Sequence, residues 1–334
     1  MSYTYYSTIS FPALGLELNP PRSISLGPLT IYLYGIVIAL GLAAAVLYAC
    51  KRSREFGLKQ DDLLDGVLWV TPFSILCARA YYCAFTWNEY RDNPISVLYI
   101  WNGGLAIYGA VLGAIVGVIV FCRVKKLKLG AVLDIVALGF LIGQSAGRWG
   151  NFFNGEAFGG VPAENSLLYR FRMEVRQDTW YSTVTAHPTF FYESLWNLIG
   201  FLIINACYKK KRFDGEVFLW YITWYGFGRM FIEGLRTDSL YLGSIRISQL
   251  VAALCFIVGL ALTLVFRIKA VKAGSYPVFV TAEASETAEK ASSKPAEQAV
   301  ESDYSSLLEN DNGEKEPKKK DEPGDNTTDG TENK

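Results

Sequence analysis

The sequence predicts an all-α polytopic membrane protein with seven transmembrane helices. Its 334 residues are 51% hydrophobic and 14% aromatic. The apolar residues fall in runs about as long as the roughly 20 residues that a helix needs to cross a bilayer. A soluble protein of this length would break such runs with charged residues. Lysine and arginine clusters also follow alternate runs, as the short loops of a multi-pass protein require.

Each of the seven predicted spans corresponds to one of these apolar runs. They lie at residues 29–50, 63–86, 97–122, 131–149, 189–208, 215–235 and 246–268. Basic clusters follow the first, third, fifth and seventh spans. Because short loops rich in lysine and arginine stay in the cytoplasm, we expect the N-terminus outside and the C-terminus in the cytoplasm.

Three further segments complete the predicted domain organisation. Residues 1–28 are expected to form an extracytoplasmic N-terminal arm. Residues 29–272 are expected to form the membrane domain, whose outer loop at 150–188 makes a small extracytoplasmic cap. Residues 273–334 contain 7 Lys and 15 Asp or Glu and few large apolar residues. Such a composition is typical of disordered chains, so we expect a disordered acidic cytoplasmic tail.

A stripe of polar residues runs along the sixth span. Its four members are spaced by four, four and three residues and share one helix face. They are Tyr225, Arg229, Glu233 and Arg236. In a membrane helix such a stripe faces the bundle interior or a water-filled cavity. Two arginines against one glutamate favour an anionic ligand, although an ion pair that only locks two helices is the alternative.

The segment from Gly147 to Gly159 follows the fourth span and combines a cation, amides and a carboxylate with glycines. Its candidate residues are Arg148, Asn151, Asn154, Glu156 and Gly159. An arginine at a membrane boundary is costly to desolvate and is usually kept for a partner. Two guanidinium groups on different helices can hold one phosphodiester through bidentate hydrogen bonds. The pattern therefore predicts a site for a lipid head group.

The third span contributes a glycine face and one tyrosine. Gly109, Gly113 and Gly117 repeat every four residues, which predicts a close helix–helix contact. Tyr108 stands among them, and its hydroxyl group could reach the polar cavity. Tyr34 in the first span is a weaker candidate of the same kind, since tyrosines are common at membrane interfaces.

The remaining chemistry-bearing residues indicate neither a metal nor a cofactor. The six cysteines lie in or beside apolar spans, without the spacing of a metal or redox site. The sequence has no phosphate-binding loop and no serine nucleophile motif. His187 is the only histidine. It is either a general base or a residue that only satisfies a hydrogen bond.

These motifs together resemble the prolipoprotein diacylglyceryl transferases of bacteria. Residues 147–159 match the pattern G-R-x-G-N-F-x-N-x-E-x-x-G at every fixed position. Further agreement, in the same order, comes from Tyr34-Gly35, Asn102-Gly103-Gly104, His187-Pro188 with Tyr192-Glu193, and the stripe from Tyr225 to Arg236. The resemblance covers about residues 20–270 and leaves the acidic tail outside.

The resemblance implies an activity and its partners. The enzyme would transfer the diacylglyceryl group of phosphatidylglycerol to the lipobox cysteine of a preprolipoprotein signal peptide, forming a thioether and releasing glycerol 1-phosphate. Its partners would be these two substrates and membrane lipids, with no nucleic acid and no cofactor. The protein would be a multi-pass protein of the bacterial cytoplasmic (inner) membrane, with its catalytic domain at residues 29–272.

The resemblance also assigns roles to residues of this chain. The expected catalytic residues are Arg148, Arg229, Tyr225, Glu233 and Tyr108. The expected substrate-binding residues are Arg148, Asn151, Asn154, Glu156, Gly159, Tyr34, Arg236 and His187. The two arginines would bind the lipid phosphate and stabilise it as it departs.

Tyr108 departs from the family pattern, because many members carry histidine there, where it is given a role in activating the thiol. Tyrosine has an ordinary pKa near ~10, a poor match to a base at neutral pH. We therefore expect the arginines to carry most of the catalysis, with the field of Arg229 acidifying the substrate thiol. A transporter or channel for an anionic solute, and a lipid-binding subunit without chemistry, are the alternatives.

Overall fold

The computed structural model describes residues 2–5, 7–27, 29–177, 183–237, 241–243, 245–275 and 278. Within these residues seven long helices of 19–26 residues form a bundle, and one short helix joins two of them. In chain order the helices are α1 (Leu33–Arg52), α2 (Gln60–Phe85), α3 (Trp87–Tyr90), α4 (Ile107–Lys125), α5 (Leu129–Asn154), α6 (Thr189–Cys207), α7 (Glu216–Leu235) and α8 (Ile247–Lys272).

Nine short strands among the described residues lie outside the bundle. They are β1 (Ser2–Tyr5), β2 (Ser7–Phe11), β3 (Leu16–Leu18), β4 (Pro21–Leu26), β5 (Leu29–Tyr32), β6 (Met173–Gln177), β7 (Val184–Ala186), β8 (Tyr241–Leu242) and β9 (Ile245–Arg246). They form three antiparallel sheets with the orders β1-β4-β5, β3-β2-β6-β7 and β8-β9. The chain is mostly helical, as predicted, and the sheets are an addition that the sequence analysis did not foresee.

The N-terminal arm and the outer loop share the four-stranded sheet. Ile9 of β2 lies opposite Val175 of β6, and both side chains are buried. They pack with Phe152 near the end of α5 and Phe190 at the start of α6. This small core fixes the cap to the two helices that carry the segment from Gly147 and the histidine motif.

Helix α5 is the centre of the bundle, since it packs against α1, α6 and α7. Its inward face consists of apolar residues at helical spacing, among them Ile135, Leu138 and Leu141, all fully buried. Burial of this face drives the packing of the neighbouring helices. Helix α2 pairs with α4, and α7 pairs with α8.

Each predicted span overlaps one long helix, but only six of the helices are long and apolar enough to cross a membrane. The exception is α7, which carries Arg229 and Glu233 and several aromatic residues. The third span was predicted to begin at residue 97, whereas α4 begins at Ile107. Two 3-10 turns, Pro94–Leu98 and Ile100–Asn102, occupy the start of that prediction.

Arg79 of α2 contacts the segment of chain before α4. Its buried guanidinium donates hydrogen bonds to the carbonyl oxygens of Ser96, Val97 and Gly103 at 2.7–2.8 Å. These bonds hold the segment before α4, with its two 3-10 turns, against α2. The glycine face predicted on α4 is confirmed, because a Cβ at Gly109 would lie 2.6 Å from the carbonyl oxygen of Cys77 on α2.

A buried ion pair joins α5 to the start of α7. Lys211 Nζ lies 2.8 Å from Asp134 Oδ2, and the two side chains are 1% and 0% exposed. Asp134 also accepts hydrogen bonds from the backbone N–H groups of Gly215 and Phe218 at 3.0 Å. Its carboxylate therefore satisfies donors at the N-terminus of α7, where an anion is favourable.

The predicted tail lies outside the described residues, except for residues 273–275 and 278. These few residues are held against the segment between α6 and α7. Arg212 Nη1 donates to the carbonyl oxygen of Ser275 at 2.6 Å, and the N–H of Val278 donates to the carbonyl oxygen of Lys211 at 2.9 Å. The first residues after α8 thus contact the segment between α6 and α7.

Candidate active site

Two arginines on different helices converge on one carboxylate. Arg148, near the end of α5, has Nη2 at 2.5 Å from Glu193 Oε1. Arg229 of α7 donates from Nη1 to Glu193 Oε2 at 2.8 Å. Glu193 lies in the second turn of α6, so three helices meet at this residue.

The cluster continues along α7. Arg229 Nη2 lies 2.6 Å from Glu233 Oε2, and Arg236 Nε lies 4.0 Å from the same oxygen. Glu193 and Glu233 are 3% and 2% exposed, whereas the Arg148 side chain keeps 23% of its surface open. Of the three arginines Arg148 is the most exposed, so an anion can reach the cluster at this side chain.

Glu193 is the residue of this site that the sequence analysis missed. It stands at the end of the segment His187-Pro188 to Tyr192-Glu193, which was noted only for its histidine and as a family motif. A carboxylate at the start of an otherwise apolar span was the available signal, because charges in such positions mark functional sites by default. Spacing alone did not reveal that it lies between arginines of two other helices.

Serine hydrogen bonds hold α6 against α5 beside the cluster. Ser145 Oγ donates to the carbonyl oxygen of Ser194 at 3.0 Å, and Ser194 Oγ donates to that of Ser145 at 2.8 Å. The indole N–H of Trp149 donates to Ser194 Oγ at 3.2 Å. Small side chains and interhelical hydrogen bonds allow close helix packing in a membrane. The hydrogen bonds of Ser145, Ser194 and Trp149 thus hold Arg148 and Glu193 on facing turns of α5 and α6.

Tyr225 lies beside the cluster, as predicted from its place in the stripe. It interacts electrostatically with Glu193, Arg229, Arg148 and Glu233. Its ring stacks on that of Tyr221, with the ring centroids 5.9 Å apart. Tyr225 therefore lies close enough to the cluster to interact with its charges.

The first span reaches the site through Tyr34. A Cβ at Gly150 would lie 2.5 Å from the Tyr34 ring, so this ring packs directly on α5 two residues beyond Arg148. The glycine is needed there because any larger residue would displace the ring. Tyr34 is thereby brought to the segment with which the sequence analysis grouped it.

Gly159 joins the outer segment to the end of α7. It forms a β-bridge with Arg236, and its N–H donates to the carbonyl oxygen of His187 at 2.9 Å. A Cβ at this position would lie 2.7 Å from the Cβ of His187 and 2.8 Å from the carbonyl oxygen of Leu235. Only glycine fits such a close approach.

His187 is a buried residue of this junction. Its Nδ1 lies 3.5 Å from the hydroxyl of Tyr192, and burial lowers the pKa of the imidazole below its ordinary value. A neutral ring held between backbone contacts fits the positioning role that was one of its two predicted alternatives. Burial disfavours its charged form.

Three other predicted residues cap the end of α5. The carbonyl oxygen of Asn151 accepts from the N–H of Glu156 at 3.1 Å, and Asn154 Nδ2 donates to Glu156 Oε1 at 2.9 Å. The carboxylate and amide that follow Arg148 therefore engage each other. Their recorded contacts hold the chain reversal after the helix in its shape.

Tyr108 is placed differently from the other candidates. It stands in the first turn of α4, which packs mainly on α2, and its side chain is 42% exposed. Among the described residues it has no recorded hydrogen bond with the arginine cluster. Of the predicted residues, the cluster around Glu193 includes Arg148, Arg229, Glu233, Arg236 and Tyr225, whereas Tyr108 lies outside it.

Comparisons with known proteins give the same answer as the motifs. The sequence model of the prolipoprotein diacylglyceryl transferases matches residues 21–265. A phosphatidylglycerol–prolipoprotein diacylglyceryl transferase of Limosilactobacillus reuteri is 42% identical over 254 residues, covering 75% of this chain and 92% of the relative. Its counterpart from Lysinibacillus sphaericus is 42% identical over 269 residues, 78% of this chain and 97% of the relative.

A third relative of the same name, from Listeria welshimeri, is 38% identical over 257 residues, which cover 76% of this chain and 92% of the relative. The matched region contains the whole arginine–glutamate cluster and all seven long helices up to most of α8. The chain belongs to the prolipoprotein diacylglyceryl transferase family.

Proposed function

We propose that the arginine–glutamate cluster binds the phosphodiester of phosphatidylglycerol and that the protein transfers the diacylglyceryl group to a prolipoprotein. The observation that supports this most directly is the convergence of Arg148 and Arg229, from two helices, on one buried carboxylate. The family gives the same activity, which is the first step of lipoprotein maturation.

The guanidinium groups would act twice in the reaction. In the bound lipid they hold the phosphate by paired hydrogen bonds, which lysine provides less well. As the carbon–oxygen bond breaks, negative charge grows on the departing glycerol phosphate. Fixed cations in a site with little water stabilise that charge, since they are already in place.

The acceptor in this proposal is the lipobox cysteine thiol of a preprolipoprotein signal peptide, and the second product is glycerol 1-phosphate. Arg148, Arg229, Tyr225 and Glu233 are the proposed catalytic residues, and Tyr108, which the sequence grouped with them, is not given a catalytic role because it lies outside their network. The remaining site residues shape the head-group pocket. They are Asn151, Asn154, Glu156, Gly159, Tyr34, Arg236 and His187.

The proposed membrane arrangement has seven spans, with α7 crossing among the other helices. Its charges face the cluster, so they are not presented to lipid. The basic loops would lie in the cytoplasm and the strands with the outer loop outside, in the bacterial cytoplasmic membrane. Residues 29–272 would be the catalytic domain, between the arm and the acidic tail.

The activity is tested by incubating purified protein with phosphatidylglycerol and a lipobox peptide and measuring the thioether product by mass spectrometry. We expect product with the wild type and a loss of ~10²–10³ in rate for Arg148→Ala and Arg229→Ala. Rates close to wild type in both variants would contradict the phosphate-binding role.

The same preparation separates the alternative activities. Uptake of an anionic solute without product would indicate a transporter, and lipid binding alone would indicate a subunit without chemistry. The names of the relatives give the transporter no support.

A further inference from the structure

The fold leaves the proton of the acceptor thiol without an assigned destination. The family position often held by histidine is Tyr108, which lies outside the network of the arginine cluster. His187 is buried at the junction with Gly159. A proton acceptor is therefore to be sought among the groups that touch the arginines.

We propose that Glu193 accepts the thiol proton, on its Oε1 atom, during diacylglyceryl transfer. This inference rests on the proposed function. Glu193 is the one described carboxylate that contacts both Arg148 and Arg229. A phosphodiester held by these two arginines must lie beside it, and so must the carbon atom that the thiol attacks.

The two oxygens of Glu193 have different partners. Oε2 accepts a hydrogen bond from Arg229 at 2.8 Å. Oε1 is buried and forms an ion pair with Arg148, but that contact lacks hydrogen-bond geometry, and Oε1 has no donor among the described residues. A buried acceptor without a donor is uncommon and calls for an explanation. Oε1 can therefore accept a proton, and because Glu233 Oε2 is likewise buried without a donor in the part of the chain that the structure describes, the two carboxylates differ by position.

Charge balance explains why a proton should stay in the site. When sulfur bonds to the diacylglyceryl carbon, the carbon–oxygen bond breaks and its electron pair goes to the phosphate. The leaving phosphate monoester then carries two negative charges. Transfer of the thiol proton to Glu193 removes one negative charge, so the site keeps the net charge that it had with the phosphodiester bound.

Glu193 is favoured over the second carboxylate by position. Glu233 contacts Arg229 and Arg236, which are neighbours on its own helix. Glu193 comes from another helix and separates the two arginines that would enclose the phosphate. When the lipid enters, Arg148 and Arg229 pair with its phosphate in place of Glu193. The carboxylate of Glu193 is thereby released to face the thiol.

The test compares two nucleophiles in Glu193→Gln. Removal of a general base should lower the rate with a cysteine lipobox peptide by ~10²–10⁴. A peptide with selenocysteine in place of cysteine is already ionised at neutral pH and needs no base. We expect it to restore the rate of Glu193→Gln to within about tenfold of the wild type with the same peptide.

Arg148→Ala is the matched control, since it removes a phosphate contact and leaves the carboxylate in place. Selenocysteine should not rescue it. Glu193→Asp, which keeps a carboxylate, should retain more activity with cysteine than Glu193→Gln, and it provides the comparison if the glutamine variant does not fold.

Three results would overturn the assignment. The first is a Glu193→Gln variant with a normal rate on the cysteine peptide. The second is a folded Glu193→Gln variant that binds phosphatidylglycerol but is not rescued by the selenocysteine peptide. The third is rescue of Arg148→Ala by the selenocysteine peptide to the same extent as Glu193→Gln. Failure of the proposed function itself would look different, because the wild type would then form no thioether with either peptide.

Discussion

Trp196 of α6 and Trp224 of α7 lock the two helices together by a reciprocal pair of hydrogen bonds. Each indole N–H donates to the carbonyl oxygen of the other residue, at 3.1 and 3.0 Å, and the stacked rings are 4.3 Å apart. Each ring also covers a glycine of the opposite helix, Gly228 under Trp196 and Gly200 under Trp224. Trp196 lies one helical turn from Glu193, so this pair of tryptophans fixes the distance between Glu193 and Arg229.

Gly228→Ala should lower both stability and product formation. Its Cβ would overlap the Trp196 indole, and overpacking of this kind costs about 1–3 kcal/mol. Separation of the helices would also move Arg229, the next residue. The thermal unfolding midpoint and the product rate should both fall. Gly143→Ala, whose Cβ would meet nothing within 4 Å, is the control and should change neither.

Arg148→Lys and Arg229→Lys should each lower the rate of product formation although they keep the charge. An ammonium group cannot form the paired hydrogen bonds of a guanidinium group. We expect each lysine variant to be intermediate between wild type and the alanine variant in steady-state rate. If lysine restored full activity, simple charge would suffice and the paired contacts would be unimportant.

Tyr108→Phe should retain turnover. Its hydroxyl lies outside the cluster network, so we expect a rate within about tenfold of wild type, not the ~10²–10⁴ loss that follows removal of a general base. Product formation and phosphatidylglycerol binding are measured on the same preparation. Abolished turnover with intact lipid binding would contradict the arginine-centred account.

Asp134→Ala should strongly destabilise the bundle. It leaves Lys211 buried without this partner and removes the acceptor for two N–H groups of α7. Breaking a buried pair on one side costs about 3–5 kcal/mol. Chemical unfolding measures the loss. Asp65→Ala removes the more exposed Lys125 pair, at 2.6 Å, and should cost about 1 kcal/mol or less.

Truncation after residue 280 should leave product formation intact, whereas truncation after residue 272 should lower the unfolding temperature. The shorter chain loses the contacts of Ser275 and Val278 with Arg212 and Lys211. The sequence alone placed the boundary at residue 272. Equal stability of the two truncations would show that these contacts contribute nothing.

The sequence by itself determined the helical membrane architecture, the family and the two arginines. Long apolar runs must become helices in a bilayer because every backbone group has to be satisfied within the span. Arg148 and Arg229 could be identified because charge is expensive there and is kept for function. Helix spacing also grouped Tyr225, Arg229 and Glu233 on one face, and that face does meet the cluster.

Only the tertiary structure decided that Glu193 joins the two arginines and that Tyr108 stands outside their network. Periodicity within one helix gives the face on which a residue lies, but not which residues of other helices it meets. Which helices meet, and at which residues, depends on close contacts such as Gly150 under Tyr34 and the paired tryptophans between α6 and α7. The segment before α4 is likewise held by hydrogen bonds from Arg79 of α2, which the periodicity of the third span could not reveal.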